Sequence, residues 1–290
     1  MKNLQDSELV LNPDGSVYHL KLKPEHIAET IILVGDQNRV ETITKHFDNI
    51  EFKMSNREFV THTGTFNKKR ITVLSTGIGT DNLDIVVNEL DAAVNIDLET
   101  RQIKPQHTTL NIIRLGTSGA LQADIPVDSF VMSTHGIGCD GLLNFYEFDE
   151  KILDKRMMDA FVSYTGWSKN LPRPYIVKGS DKLEKLLGEG LYKGVTATAS
   201  GFYGPQGRVL RIPLAMPQLN EKIETFNFEG HRIANFEMET SALYGLGAIL
   251  GHNTLTICDI IANRVIKQFS KDYKKSVETL VALVLERLTK

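Results

Sequence analysis

The residues of this chain best suited to chemistry lie in three short stretches: VGDQNR at 34–39, RLGTSGA at 114–120 and NFEMET at 235–240. Each closes an apolar run of strand length. The first two combine glycines, small polar side chains and an arginine where a strand is expected to turn, which suits an anion. Glycine lets a ligand approach the backbone, and a following helix offers free N–H groups and a positive dipole end. The third sets the carboxylates of Glu237 and Glu239 on either side of Met238. Carboxylates accept hydrogen bonds from vicinal hydroxyls, so this stretch suits a sugar. Anion beside sugar points to the making or breaking of a glycosidic bond.

Taken singly, these signals leave alternatives open. In Gly35-Asp36-Gln37-Asn38-Arg39 the arginine adds a charge-assisted donor, yet many Gly-Asp turns are purely structural. TGIGTDN at 76–82 is another glycine turn, without the GxGxxG of a dinucleotide fold, and no GK[ST] marks a triphosphate loop. Arg114 ends the apolar run LNIIRL, where a charge is expensive without a partner. Thr117 and Ser118 follow, with Gly116 and Gly119 permitting a tight loop. Such an arginine either clamps an oxyanion or is paired with a core carboxylate.

The elements that must position these residues alternate. Strands are expected at 30–34, 70–75, 110–115, 129–133, 194–199 and 254–262, several of them apolar throughout, as for strands covered on both faces. Helical patterns occupy 39–47, 82–96 and 238–250. A last apolar stripe runs through Val277, Leu280, Val281, Val284, Leu285 and Leu288. The pattern predicts an α/β fold with a mostly parallel, helix-covered sheet in one domain. Residues 140–174 look least regular, an insertion or flap.

Bulk properties exclude more than they assign. The 290 residues carry a net charge of −3 with Lys and Arg scattered, so no nucleic-acid footprint is expected. The two cysteines, Cys139 and Cys258, have neither metal nor redox spacing and no thiolate surroundings. MKNLQDSELVLN has no apolar signal core, and no run of about 18 apolar residues exists to span a membrane. A soluble cytoplasmic protein without membrane or nucleic-acid partners is expected.

Six motifs in fixed order carry a resemblance: GDQNR, NREF at 56–59, STGIGTDN at 75–82, IRLGTSG at 113–119, FYGPQGR at 202–208 and NFEMETSALY at 235–244. Over residues 19–264 the chain resembles the hexamer-type nucleoside phosphorylases, and within them the uridine phosphorylase branch. The resemblance implies a single three-layer α/β/α domain, residues 1–290, whose mixed sheet curls into a distorted barrel. It also implies a homodimer with shared active sites, or a hexamer. It assigns phosphate to Gly35, Arg39, Arg114 and Thr117, with Arg57 reaching in from a neighbouring subunit. Gln37 departs from the usual GDPxR, which implies a looser backbone there.

For the sugar, the resemblance assigns His19, at the ribose 5′-hydroxyl of the partner's site, and Glu237, Met238 and Glu239, with the thioether packed on the sugar face. For the base it assigns Phe202 for stacking and Gln206 and Arg208 for the edge of uracil. The alternative is that these two decorate a Gly-Pro loop. Asp259, in ICDIIANR, matches an aspartate that protonates the purine base in the other branch. It is either a base-edge acid or a strand-end residue with a backbone cap.

Nucleoside and inorganic phosphate are the implied small molecules, with no cofactor and no metal. Asn82 stands where a serine usually completes a monovalent-cation site near Glu58 and Ile78, so that cation is not expected. The expected reaction is reversible phosphorolysis of uridine to uracil and ribose 1-phosphate. The alternatives are a purine or broad-specificity phosphorylase and, further off, a non-catalytic nucleoside-binding protein. A nucleosidase using water would not need Arg39, Arg57 and Arg114 together.

Overall fold

The apolar run Thr30–Val34 is buried along its whole length and forms β1 of the computed structural model, which describes residues 4–290. Residues 1–3, the start of the stretch searched for a signal segment, lie outside the described residues. After β1 come α1 (Asn38–Thr44), β2 (Asn49–Asn56), β3 (Phe59–Phe66), β4 (Lys69–Ser75) and α2 (Thr80–Asn95). A small ribbon, β5 (Ile96–Asp97) with β6 (Gln102–Ile103), precedes the long strands β7 (Asn111–Ala120) and β8 (Phe130–Gly138). Next are α3 (Lys155–Thr165), β9 (Tyr175–Lys178), α4 (Asp181–Leu187) and β10 (Tyr192–Thr198). The chain ends with α5 (Leu219–Thr225), β11 (Asn227–Phe228), β12 (His231–Glu237), α6 (Thr240–Ile249), β13 (Asn253–Asn263), β14 (Gln268–Phe269) and α7 (Tyr273–Leu288).

The sheet is mixed and partly closed. Its order runs β2-β3-β4-β1-β7-β13-β8-β10-β12, and β12 then returns antiparallel onto β7. The five strands β7, β13, β8, β10 and β12 therefore form a barrel without a free edge. A polar chain links four of them: Ser133 to Thr196 at 2.5 Å, Thr196 to Asn235 at 2.7 Å, and Asn235 to Ser118 at 2.8 Å. All four side chains are buried, and each bond satisfies a group that would otherwise be orphaned.

Helices cover the sheet in layers, as the alternating pattern predicts. On one side α2 and α6 pack in the cluster of Leu83, Val87, Leu90, Leu243 and Leu246. On the other, α1, α4 and α7 contribute Val40, Ile43, Leu183 and the predicted stripe Val277 to Leu288. A third cluster joins α3 and α5 to the barrel, with the rings of Phe161 and Phe226 5.3 Å apart. Among the described residues no helix is long and apolar enough to cross a membrane.

The structure departs from the expected pattern at four places. RLGTSGA is no turn: β7 continues through it to Ala120, paired along β13 from Arg114↔Thr256 to Ala120↔Asn263. Its glycines serve close packing. A Cβ on Gly116 would lie 2.2 Å from Arg114 Nη1, and one on Gly119 would lie 3.3 Å from the Arg264 side chain. Residues 140–174 are more regular than expected. Within them α3 has an N-cap at Asp154, which accepts from Met157 N–H, and ends at Gly166 in the left-handed region. The hairpin β2–β3 was not foreseen at all. Helix α6 also starts late, at Thr240, because Met238 and Glu239 lie before its first turn.

Candidate active site

The three stretches converge on one cavity of about 580 Å³ at the mouth of the barrel. Gly35 to Arg39 follow β1, Arg114 and Thr117 belong to β7, Glu237 ends β12, and Met238 and Glu239 link it to α6. Parallel pairing of β1 with β7, Leu33↔Arg114, brings the first two stretches side by side. The return of β12 onto β7 brings the third.

At one end Arg39 donates to Thr117 Oγ1 at 3.3 Å. Burial lowers its pKa, and the neighbouring charge of Arg114 lowers it further. Both effects make an anion welcome. Gln37 does not loosen this turn. Its φ of −54° is one a proline would adopt, and its Nε2 donates to the Arg57 carbonyl at 2.9 Å. It ties the turn to the tip of the β2–β3 hairpin.

Arg114 is held between two carboxylates: Nη1 meets Glu237 Oε2 at 3.1 Å and Nη2 makes a short bond to Glu239 Oε2. The sequence left oxyanion clamp and carboxylate pairing as alternatives, and the arginine has both the carboxylates and an open cavity. Burial works against its charge, but Glu239 and then Glu237 outweigh it and raise its pKa. Cys258 Sγ lies 3.7 Å from Nη1. Burial pushes that thiol up to about 12, against Arg114, so a neutral thiol borders the guanidinium.

Burial raises the Glu237 carboxyl, and Arg114 pulls it back down. Its partners are Arg114, two backbone N–H groups and the Thr198 hydroxyl, all donors, so it stands as a carboxylate. Glu239 Oε1 accepts from Gly79 N–H at 2.8 Å. Gly79 has a φ of +101°, outside the range of ordinary residues, which explains a glycine there. Met238 lines the cavity between the two acids.

At the far end Gln206 is buried and Phe202 half exposed. Arg208 sits over the Phe202 ring, 3.7 Å from its centroid, and donates to Gln206 Oε1 at 2.7 Å. A guanidinium only donates, so this bond fixes which way the Gln206 amide faces. Sequence reasoning missed the supports of this end. Arg264 Nη2 and Asn220 Nδ2 both donate to the Gln206 carbonyl, at 2.6 and 2.8 Å. Phe236, Ile261 and Phe269 supply apolar wall. Arg264 stands within the quoted ICDIIANR, and that motif was its only signal.

Three of the candidate residues lie outside this cavity. Asp259 faces away from the cavity. With Leu255 and Ile257 it occupies the β13 face that packs on α7, where its Oδ1 accepts from Ser276 at 2.7 Å. It is no strand-end residue either, since β13 runs on to Asn263. Burial raises its pKa to about 6. His19 and Arg57 do not line the chain's own cavity. His19 Nδ1 bonds Glu89 at 2.6 Å, and Asn56 Nδ2 donates to the His19 carbonyl at 2.7 Å. Both therefore sit on one patch beside the hairpin tip, where Arg57 has a φ of +54°.

Asp91, His107 and His252 have donor atoms within 4.8 Å of one another, as a metal site would need. His252 Nδ1, however, accepts from Leu110 N–H at 3.2 Å, so its proton sits on Nε2, facing Asp91. That tautomer offers a metal no lone pair at Nε2, which lies 3.2 Å from Asp91 Oδ1 without a hydrogen bond.

Residues 29–289 match the model of the phosphorylase superfamily. The chain belongs to that family. A uridine phosphorylase of Thermococcus kodakarensis is 28% identical over 270 residues, covering 90% of this chain and 83% of that one. A DeoD-type purine nucleoside phosphorylase of Clostridium perfringens is 33% identical over 245 residues, covering 83% of this chain and 85% of that one. A solved Trypanosoma brucei nucleoside phosphorylase, described as showing uridine phosphorylase activity, superposes with a TM-score of 0.86. It is 30% identical and covers 97% of this chain, which covers 99% of it. The protein is thus a nucleoside phosphorylase, a pentosyltransferase acting on nucleoside and phosphate. Relatives of both base classes match more than four-fifths of the chain, so family membership alone does not choose the base.

Proposed function

We propose that this phosphorylase cleaves uridine, giving uracil and ribose 1-phosphate. The observation that carries the reading is the Gln206–Arg208 pair, bonded at 2.7 Å at the far end of the cavity. Gln206 Oε1 keeps a second lone pair for N3–H of uracil, and its Nε2 is a donor for O2. Arg208 keeps donors for O4. Asp259, the acid that would favour a purine, faces α7 instead, which supports the same choice. The similarity to uridine phosphorylases agrees with it.

The reading assigns phosphate to Gly35, Arg39, Arg114 and Thr117. The chain's own cations there are offset by Glu237 and Glu239, so a third guanidinium is needed for a doubly charged anion. We assign that role to Arg57 of a second copy, with His19 of the same copy at the ribose 5′-hydroxyl; their shared surface patch suits such a lending. Met238 packs on the sugar and Glu239 takes its hydroxyls. Phosphate is the co-substrate and no other cofactor enters.

Chemistry follows from placement. Phosphate oxygen bonds to C1′ as the C1′–N1 bond breaks, and the electron pair leaves with uracil. Holding both reactants removes the entropic cost of bringing them together. Gln206 and Arg208 stabilise the charge that grows on the departing base. Initial rates with uridine and inosine, side by side in phosphate, test the base assignment. Uridine turned over faster supports it, and inosine turned over faster overturns it.

A further inference from the structure

We propose that Glu237 is a positioning residue that fixes Arg114, leaving Glu239 as the carboxylate that grips the sugar. The proposal rests on the reading of Arg114 as a phosphate-binding arginine. Motif resemblance treats the two acids alike, but their surroundings differ. Glu237 Oε1 accepts from Thr198 Oγ1 at 2.7 Å and from Thr240 N–H at 3.1 Å. Its Oε2 accepts from Glu239 N–H at 3.0 Å, Thr240 N–H at 3.0 Å and Arg114 Nη1 at 3.1 Å. These donors fill the roughly four lone-pair sites of a carboxylate. The Thr198 hydroxyl accepts from Ser241 N–H at 3.0 Å, so its own proton is committed to Glu237. A ligand hydroxyl finds no acceptor there.

Glu239 is less occupied. Its Oε1 has one donor, Gly79 N–H at 2.8 Å, and its Oε2 has Arg114 and a longer contact from Met238 N–H at 3.3 Å. It keeps lone pairs for a ligand and can shift toward one. Arg114 then still has a carboxylate anchored by backbone amides at the start of α6. Without Glu237 the guanidinium is free to move wholly onto Glu239, away from phosphate and into competition with the sugar.

The test compares Glu237→Gln, Glu239→Gln, Arg114→Ala and Thr198→Val in the full-length enzyme. The readouts are KM for phosphate and the kcat/KM ratio between the enzyme's best ribonucleoside and its 2′-deoxy counterpart. Glu237→Gln should raise phosphate KM about tenfold, as losses of orienting partners do. It should leave the ribo-to-deoxyribo ratio within about twofold, because no sugar contact is lost. Glu239→Gln should change that ratio about tenfold or more. Thr198→Val, which removes one donor and no charge, should shift phosphate KM in the same direction by less, and serves if Glu237→Gln does not fold. A Glu237→Gln enzyme that loses ribose selectivity at wild-type phosphate KM overturns the proposal, as does an unaltered phosphate KM in both Glu237→Gln and Thr198→Val. Wild-type phosphate KM in Arg114→Ala instead overturns the underlying phosphate reading.

Discussion

Arg208 stands 3.7 Å from the centroid of the Phe202 ring and donates to the Phe202 carbonyl at 2.5 Å, so ring and guanidinium form one unit. The ring face under Arg208 is already covered. On the proposed base assignment, Phe202 therefore acts in part through the arginine it holds, and in turn through Gln206.

This unit predicts non-additive mutants. Arg208→Ala should lower kcat/KM for uridine about a hundredfold, the usual cost of one donor to a developing anion. Phosphate KM should stay near wild type. Phe202→Ala alone should cost less, and should add little in the Arg208→Ala background. Full additivity of the two losses in steady-state kinetics would separate Phe202 from Arg208.

Gly116 predicts a phosphate-site defect from a single methyl group. A Cβ there meets Arg114 Nη1 at 2.2 Å and Cys258 Sγ at 3.0 Å, and Arg114 is pinned by two carboxylates. Gly116→Ala should fold and raise phosphate KM about tenfold, since small misplacements of reacting groups are costly. A thermal melt checks folding, and unchanged phosphate kinetics would contradict the account.

Arg114→Ala carries a stability penalty as well as a functional one. It leaves Glu237 and Glu239 buried beside no cation, and breaking such a pair from one side costs about 3–5 kcal/mol. Arg114→Lys should rescue stability better than phosphate use, because an ammonium cannot meet both carboxylates as the planar fork does. Denaturant titration of both variants measures this.

Asp259 predicts a pH-dependent stability difference. Its folded pKa is raised to about 6, above the ordinary 3.8, so the folded state holds the proton more tightly. The stabilisation is full below 3.8 and is lost as pH rises through about 6. Asp259→Asn should therefore melt higher than wild type at pH 7.5, with the advantage shrinking toward pH 4. An equal difference at both pH values, by calorimetry, would contradict the assignment.

The sequence shows some of this structure directly and hides the rest for physical reasons. β1, β4 and β13 are apolar runs with no competing pattern, and the α7 stripe repeats at helical spacing. The hairpin strand β2, NIEFKMSN, alternates polar and apolar residues as a half-buried strand does, but lacks the continuous apolar stretch that marks β1. Glycines and hydroxyls that usually end strands run on inside β7, because a barrel needs small residues where Arg114 and Arg264 pass. The cavity's arginines and glutamates were legible from their motifs, whereas Phe269, outside every motif, was not. The face of Asp259 was not, because one step of strand parity decides it. Nor was the hold of Arg264 on the Gln206 carbonyl, a bond to backbone that leaves no trace in residue type.

On the proposed function, an inorganic oxyanion held at Arg39 and Arg114 takes the pentose from uracil. The most direct test is uracil release from uridine by dialysed enzyme, with and without phosphate, while ribose 1-phosphate is quantified. No release is expected without phosphate, and one ribose 1-phosphate per uracil with it. Uracil released at the same rate in phosphate-free buffer, with free ribose as the product, would contradict that function.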